Sequence, residues 1–401
     1  MTHSDPDEHP QKEELEAILK QVLPLNLPHV HFKDIVKIER MMPQDDFTET
    51  LTDLAHGKTG GITLIDVRSE AEFEKERLPF SVNLPILTNE ERHKVGLIYK
   101  RHDKDLALSY AWYLAKEKEE AYLEKVRELA KGGPVILYCW RGGGRSGYTT
   151  SMLNENGIDA VRLTGGQKAF RKKVQTLLYE GELELLPISG KTGCGKSELL
   201  EYIQAHYPEA PVLHLEAAAG HAASVFGEIR FNLMGGSLAK SQRDFETNLY
   251  VNLLQFRGSD GSFPPFLTEM ESKKIGQFNL PPVICKALSK ETHIGLTCPL
   301  ESRLDRLKRE YFGNGGKEAE TMVKEAIRFL TRRVGNKAVE RWFDAIDAGD
   351  YLVFLREVMV DYYDVVYKEV ENKPLVIVDN ADVSQAAKNI VEWYTNRTHT
   401  A

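Results

Sequence analysis

The chain has 401 residues, 42 % hydrophobic and 28 % charged, with a formal net charge of −8. Such a length is a prior for two or three domains, and the apolar content fills sizeable cores. The acidic balance excludes a generally basic nucleic-acid binder, so any nucleic-acid site must be a local patch. Four cysteines without a CxxC pair argue against a structural zinc site or a disulfide framework and favour a reducing compartment.

The first dozen residues, rich in Asp, Glu, His and Pro, read as disordered. They have neither a secretory nor a transit pattern, and no apolar run approaches a membrane span. The expectation is a cytoplasmic protein without membrane attachment. A helix is predicted from Lys12 to Leu23, ending before Pro24, so residues 1–30 read as a tail and a helix. "GGITLIDVRS" reads as a buried strand ending at Asp66. "AEFEKERLPFSVNLP" follows as a short helix and loop, and "TNEERHKVGLIYK" as a helix capped by Thr88. "DLALSYAWYLAKEKEEAYLEKVRELAKGGP" reads as one long amphipathic helix, stopped by Gly132, Gly133 and Pro134. "PVILYC" is a second buried strand, followed by helix, strand and helix. Strands alternating with helices mean parallel α/β, here a domain over 31–178.

"YCWRGGGRSGY" places Cys139 between that strand and the next helix. A cysteine after an apolar strand is ordinarily a small core residue. Three glycines between two arginines do not suit a core position. They curl the backbone around the sulfur, and the helix N-terminus with Arg141 and Arg145 stabilises a thiolate. Cys139 is therefore the candidate nucleophile. Trp140, Arg141, Gly142, Gly143, Gly144, Arg145 and Ser146 are the candidate loop for an anionic donor.

A second α/β domain is predicted over 183–401, with the break at Leu178–Glu184. "LELLPIS" is a strand, "GKTGCGKS" a loop and "ELLEYIQAHYP" a helix. The loop fits G-x-x-x-x-G-K-[ST] in the strand–loop–helix context that pattern needs. Gly190, Lys191, Thr192, Gly193, Cys194, Gly195, Lys196 and Ser197 would cradle phosphates; Lys196 would neutralise charge, and Ser197 could hold Mg2+. Cys194 fills a free position of the pattern. No tightly bound cofactor and no certain metal site is expected. "APVLHLEAAAG", "PPFLTEME" and "HIGLTCP" read as further strands. Glu216 and Glu269 follow two of them, each either the acidic partner of the loop or an exposed strand-end charge. The helix "LESRLDRLKREY", a mostly helical stretch Lys317–Val370, the strand "PLVIVDN" and a closing helix complete the chain. Cys285 and Cys298 read as structural.

Basic residues gather at Arg162, Lys168, Arg171, Lys172 and Lys173, at Arg303, Arg306, Lys308 and Arg309, and at Lys324, Arg328, Arg332, Arg333, Lys337 and Arg341. Each group is either a solvated helix face or part of an RNA surface. Tyr362, Tyr363 and Tyr367 could stack on unpaired bases, although their helical spacing suits a core.

Cys139 to Arg145 resembles the rhodanese active-site loop, and "LIDVRSEAEF" with Asp66 and Arg68 resembles the rhodanese entry motif. More narrowly, "YCWRGGGRSG", "LTNEERHKVGLIYK", "LTGGQKAFRK", "LEAAAGHAASVFGEI", "TEMESKKIGQFNLP" and "DYYDVVY" resemble segments of the tRNA 2-selenouridine synthase family, in order, over roughly Ile35 to Asn380. The chain departs from that family at His221–Ala222–Ala223–Ser224, where a basic residue is missing. The resemblance implies a rhodanese-like parallel-sheet domain followed by a P-loop NTPase-like domain with a helical extension. It also implies a transferase acting on the anticodon region of tRNA, where sulfur of a wobble 2-thiouridine is replaced by selenium through a geranylated intermediate. Selenophosphate and geranyl diphosphate are the substrates so implied; separately, the weak signal for an acidic partner of the P-loop argues against a full ATP hydrolysis cycle. Two other readings fit the residues. One is a sulfurtransferase fused to a small-molecule kinase acting without RNA, with "LESRLDRLKREY" as its lid. The other is a non-enzymatic binding protein with two degenerate domains.

Overall fold

The apolar runs around Leu64 and Ile136 pair in parallel as central strands of one sheet, with Leu64 opposite Ile136 and Asp66 opposite Tyr138. Both faces of such a sheet are covered, so its strands are nearly continuous apolar sequence. The structure, a computed structural model, describes residues 8–222, 224–227, 229, 239–290, 292–313, 316–366 and 373–398. They fall into two units, Met1–Lys173 and Val174–Ala401.

The first unit holds five parallel strands: β1 (Met41–Met42), β2 (Thr63–Asp66), β3 (Val82–Asn83), β4 (Val135–Tyr138) and β5 (Ala160–Leu163). Their spatial order is β1-β5-β4-β2-β3. All four residues of β4 are buried. The loops after β2 and β4 therefore emerge together at the carboxyl edge, where open α/β sheets carry their sites.

Two expectations change here. The first helix runs Glu8–Val22, and Pro24 sits in the 3-10 turn Leu23–Leu25. Its Ile18 and Val22 join Leu97, Ile98, Ala107 and Tyr110 in one apolar cluster, so this segment is an integral layer of the first unit rather than a separate tail. Of the first dozen residues, expected to be disordered, 1–7 lie outside the described residues and 8–12 are helical. The predicted long helix is two, Lys104–Glu117 and Glu119–Ala130. Lys118 leaves helical angles between them while its ammonium donates to Ile86 O at 3.1 Å and Glu91 Oε2 at 2.6 Å. The second helix thereby buries Tyr122, Leu123, Val126 and Ala130 in the core beside the sheet.

By packing, the second unit begins at Val174, within the helix Gly166–Gln175. The helix continues as a π-helical turn, Thr176–Glu180, which packs on the helix Pro282–Leu288. Five parallel strands follow: β6 (Leu185–Ser189), β7 (Val212–Leu213), β8 (Phe266–Glu269), β11 (Ile294–Thr297) and β12 (Val376–Asp379). Their spatial order is β12-β11-β6-β8-β7. A small antiparallel pair, β9 (Lys274–Ile275) and β10 (Phe278–Asn279), lies apart from the sheet. One core cluster joins the sheet to the helices Lys196–His206 and Val383–Thr398. A second is built by Leu304, Leu307, Trp342 and Phe354 of the helical extension. "APVLHLEAAAG" is a two-residue strand followed by a helix, Leu215–Ala219, and not one strand. Leu215 N–H donates to Glu269 Oε2 at 2.9 Å, which satisfies a first-turn donor of that helix.

Candidate functional site

In the first unit, β4 ends on buried Tyr138, whose hydroxyl accepts the Leu78 N–H at 3.1 Å. Cys139 follows, only 4 % exposed, with its Sγ 3.2 Å from Ser146 Oγ. The next carbonyls are tied back to neighbouring elements. Cys139 O accepts from Gln167 N at 3.0 Å, Trp140 O from Lys168 N at 2.9 Å, and Gly142 O from Arg162 Nη1 at 3.3 Å. Gly142 has φ +64, and a Cβ there would stand 2.5 Å from Leu163 O, so only glycine closes this loop. The helix Gly144–Glu155 starts at once, and its positive dipole end faces the loop.

Behind the loop, Arg68 is buried and donates to Asp66 Oδ2 at 2.6 Å and to Glu76 O at 2.6 Å. The entry motif is thus a brace for the strand ends. Arg145, expected at the anion, makes a bidentate ion pair with Glu72 at 2.5 and 3.1 Å. Burial opposes ionisation of Glu72. The hydrogen bond and charge of Arg145, helped by Arg92, outweigh it and hold the carboxyl down at about 2. Arg141 and Trp140 are exposed. Cys139 and its loop line a cavity of about 1130 Å³, closed on other sides by the helices Asn89–Arg101 and Lys104–Glu117.

In the second unit, the P-loop joins β6 to the helix Lys196–His206. Three side chains clamp its carbonyls. Arg303 Nε donates to Thr192 O at 2.9 Å, Arg306 Nη1 to Gly193 O at 2.9 Å, and Asn380 Nδ2 to Cys194 O at 2.8 Å. In a trans peptide the N–H points opposite its C=O, so the N–H groups of Gly193 and Gly195 face away from the clamp, toward the cleft they line. Gly195 has φ +82, and a Cβ there would lie 2.6 Å from Arg306 Nε. Lys196 Nζ donates to Gly190 O at 3.2 Å across the loop. Cys194 is buried in the core, which pushes its thiol up, as suits a filler.

The two acidic candidates separate. Glu216, on the short helix, accepts from Ser197 Oγ at 2.5 Å, the position an acidic partner of the loop takes. Glu269 is fully buried, with one oxygen on Leu215 N and the other 3.8 Å from His214 Nδ1. A third carboxyl, Glu271, was not singled out from sequence. Burial above all, then the charges of Glu216 and Glu269, push it up to about 8 against Lys196, and it is hydrogen-bonded to Glu216. Its signal was the spacing: Glu269 and Glu271 alternate in "TEMES" at a strand end, which puts them on one side. Glu216 and Glu271, with Lys196 and Ser197, line a cleft of about 1070 Å³ that reaches His221, Tyr311, Tyr363 and Arg333, while Glu269 lies behind it.

The basic clusters lose most of their members to structure. Arg303 and Arg306 are buried on the P-loop; Arg303 also pairs with Asp364 at 2.6 Å and Arg306 with Glu198 at 2.5 Å. Their i, i+3 spacing on one helix face was the available sign. They clamp the loop, and the helix Leu300–Phe312 is fixed to it rather than free as a lid. Arg162 is buried, Lys173 pairs with Asp45 and Lys324 with Asp347. Arg328 and Arg332 are exposed. Tyr362 is a core residue, and its hydroxyl accepts from Arg333 at 2.5 Å. Tyr367, and Ala223 of the departure at His221–Ser224, lie outside the described residues. Cys285 and Cys298 donate to Leu280 O and Asn380 O, consistent with structural roles. Among the described residues, no helix is long and apolar enough to cross a membrane, and no group of three His, Cys, Asp or Glu is arranged to hold a metal ion.

Comparison with known proteins adds the family. Residues 49–173 match the rhodanese-like domain, and residues 183–401 match a domain described as the tRNA 2-selenouridine synthase AAA domain. A tRNA 2-selenouridine synthase of Nitrosomonas europaea is 33 % identical over 319 residues, covering 77 % of this chain and 80 % of that one. One from a Sulfurovum species is 30 % identical over 331 residues, covering 76 % and 87 %. One from Hydrogenovibrio crunogenus is 28 % identical over 388 residues, covering 88 % and 99 %.

Proposed function

This chain belongs to the tRNA 2-selenouridine synthase family, and from that premise we propose that it replaces the sulfur of a wobble 2-thiouridine in tRNA by selenium, through an S-geranylated base and with selenophosphate as donor. The family supports a tRNA-modifying transferase that transfers selenium. The donor, the intermediate and the division of labour between the loops are our reading.

The observation that carries the reading is Cys139, set beneath an anion-friendly glycine loop at the wall of a cavity. In the first step the base sulfur attacks C1 of geranyl diphosphate. The C–O bond to diphosphate breaks, N3 loses its proton, and the P-loop with Lys196 holds the diphosphate leaving group. Oxygen donors such as Ser197 and Glu216 suit Mg2+, which would add charge neutralisation there. In the second step Cys139 Sγ attacks C2 of the geranylated base, and geranylthiol departs with a proton. Selenium of selenophosphate then attacks the same carbon and releases the Cys139 thiolate. Water cleaves the Se–P bond, giving phosphate and 2-selenouridine. No oxidant or reductant is needed. Arg141 and the loop N–H groups face the selenophosphate anion.

The test is release of geranylthiol, measured by mass spectrometry from geranylated tRNA incubated with the protein. Wild type releases it, and Cys139→Ser does not. Equal release by both would remove Cys139 from the second step.

A further inference from the structure

The cavity at Cys139 is flanked by a corner that the sequence clusters did not include. The turn between the helices Asn89–Arg101 and Lys104–Glu117 carries "YKRHDK". The cavity lining includes Lys100, Arg101, Lys104 and Arg141, together with Arg92 and Arg145 that Glu72 pairs, against two carboxylates, Glu14 and Asp105. This is a positive rim on a chain of net charge −8. Lys100 and Arg141 are exposed and make no ion pair among the described residues. Lys104 lies over the ring of Tyr99, 5.6 Å from its centroid. Aromatic faces stand among these charges: Tyr99 is 54 % exposed, Trp140 37 %, and Trp112 lines the cavity itself. Basic groups interleaved with open aromatic rings are what single-stranded nucleic acid binds, phosphates on the charges and bases on the rings.

Gly96 adds an independent sign. It sits inside the helix Asn89–Arg101, where glycine is unfavourable relative to alanine. Packing does not require it, because a Cβ there would meet nothing within 4 Å. It lines the cavity, so its bareness keeps room for an occupant.

We propose that this corner is where the RNA strand enters the first unit, with its phosphates on Lys100 and Lys104 and its unpaired target base in the Cys139 cavity against Trp112 and Trp140. The proposal rests on the tRNA reading above and names the surface that serves it.

The experiment uses the full chain and a fluorescent anticodon stem–loop RNA, with anisotropy titrations at several salt concentrations. The Lys100→Ala/Lys104→Ala variant binds about tenfold or more weakly, and its slope of log K against log salt falls by about 1.4, as expected for two lost single-strand phosphate contacts. Lys100→Arg/Lys104→Arg binds as wild type. Trp112→Ala binds about 5- to 100-fold more weakly with little change of slope, the signature of lost stacking. Arg328→Ala/Arg332→Ala, on the exposed helix face of the second unit, is unchanged. Corner variants that bind like wild type, or loss confined to Arg328→Ala/Arg332→Ala, overturn the proposal and leave the function standing. Trp112→Ala that weakens geranyl diphosphate binding and spares RNA also overturns it, giving the cavity to an apolar chain. Wild type that binds no RNA at low salt overturns the proposal together with the tRNA reading.

Discussion

Glu271 gives the sharpest test of the second site's electrostatics, because its proton is held by neighbours that the fold alone brings together. In the unfolded chain this carboxyl ionises near 4.5, whereas burial beside Glu216 and Glu269 raises it to about 8 in the native state. Between those values the native state keeps a proton that the unfolded state has released, so stability falls as pH rises through the window. Each pH unit there removes about 1.4 kcal/mol through this group, and the whole window sets a ceiling of about 5 kcal/mol. Sharing of the proton with Glu216 and partial solvent access reduce this to about 2–3 kcal/mol by pH 8. Glu271→Gln keeps the shape and a donor to Glu216 but has no proton to lose. Urea unfolding of both proteins, followed by Trp342 and Trp393 fluorescence from pH 5 to pH 8.5, reads the proton that Glu271 shares with its acidic neighbours, because titrations not coupled to Glu271 cancel in the difference. The account predicts that the variant gains about 2–3 kcal/mol on wild type across this range. A difference constant with pH, or one that favours wild type as pH rises, refutes the reasoning.

Further expectations follow from the clamp, the ion pair and the P-loop lysine. Arg306→Met leaves Gly193 O without its donor, takes from Asn380 O one of two donors, the other being Cys298, and breaks the pair with Glu198. It should cost about 2–4 kcal/mol in urea unfolding and weaken pyrophosphate binding about tenfold by calorimetry, and unchanged binding would show that the clamp does not shape the loop. Glu72→Gln removes a carboxylate whose native-state value lies below 4.5. Its contribution is complete above pH 4.5 and is lost as pH falls toward 2, so the variant should be less stable by about 1–2 kcal/mol at pH 7, after solvent screening of the pair, and converge on wild type near pH 2.5. A gap that persists there would assign the loss to packing. Lys196→Ala should abolish the geranylation step, measured as geranylated nucleoside, while wild type shows no sustained ATP turnover. ATP hydrolysis by wild type that disappears in Lys196→Ala would move the P-loop to nucleotide chemistry.

The strand–loop–helix geometry of both candidate loops was legible because each combines a short apolar strand, glycines at fixed places and a helix start, all local in sequence. The strands "TLID", "VILY" and "LLPIS" formed where their apolar runs lie. What escaped was non-local. Arg303 and Arg306 read as surface charge because their partners Thr192, Gly193 and Asp364 are far away in the chain. Glu72 meets Arg145 across 73 positions. Lys118 stands at a helix break that periodicity carries through, and its ammonium is held there by Ile86 O and Glu91, remote in the chain. Ala-rich "LEAAAG" became a helix once Glu269 supplied a first-turn acceptor. Helical periodicity correctly put Tyr362 in the core, since that pattern is local again.

The central claim is that one chain exchanges sulfur for selenium at a tRNA base, with Cys139 acting in the exchange. The direct measurement is nucleoside mass spectrometry of 2-thiouridine tRNA incubated with geranyl diphosphate, selenophosphate and the purified protein. The account predicts 2-selenouridine from wild type, and geranylated 2-thiouridine that accumulates without selenium in Cys139→Ser. Selenouridine formed equally by Cys139→Ser, or no modified uridine from wild type, would contradict it.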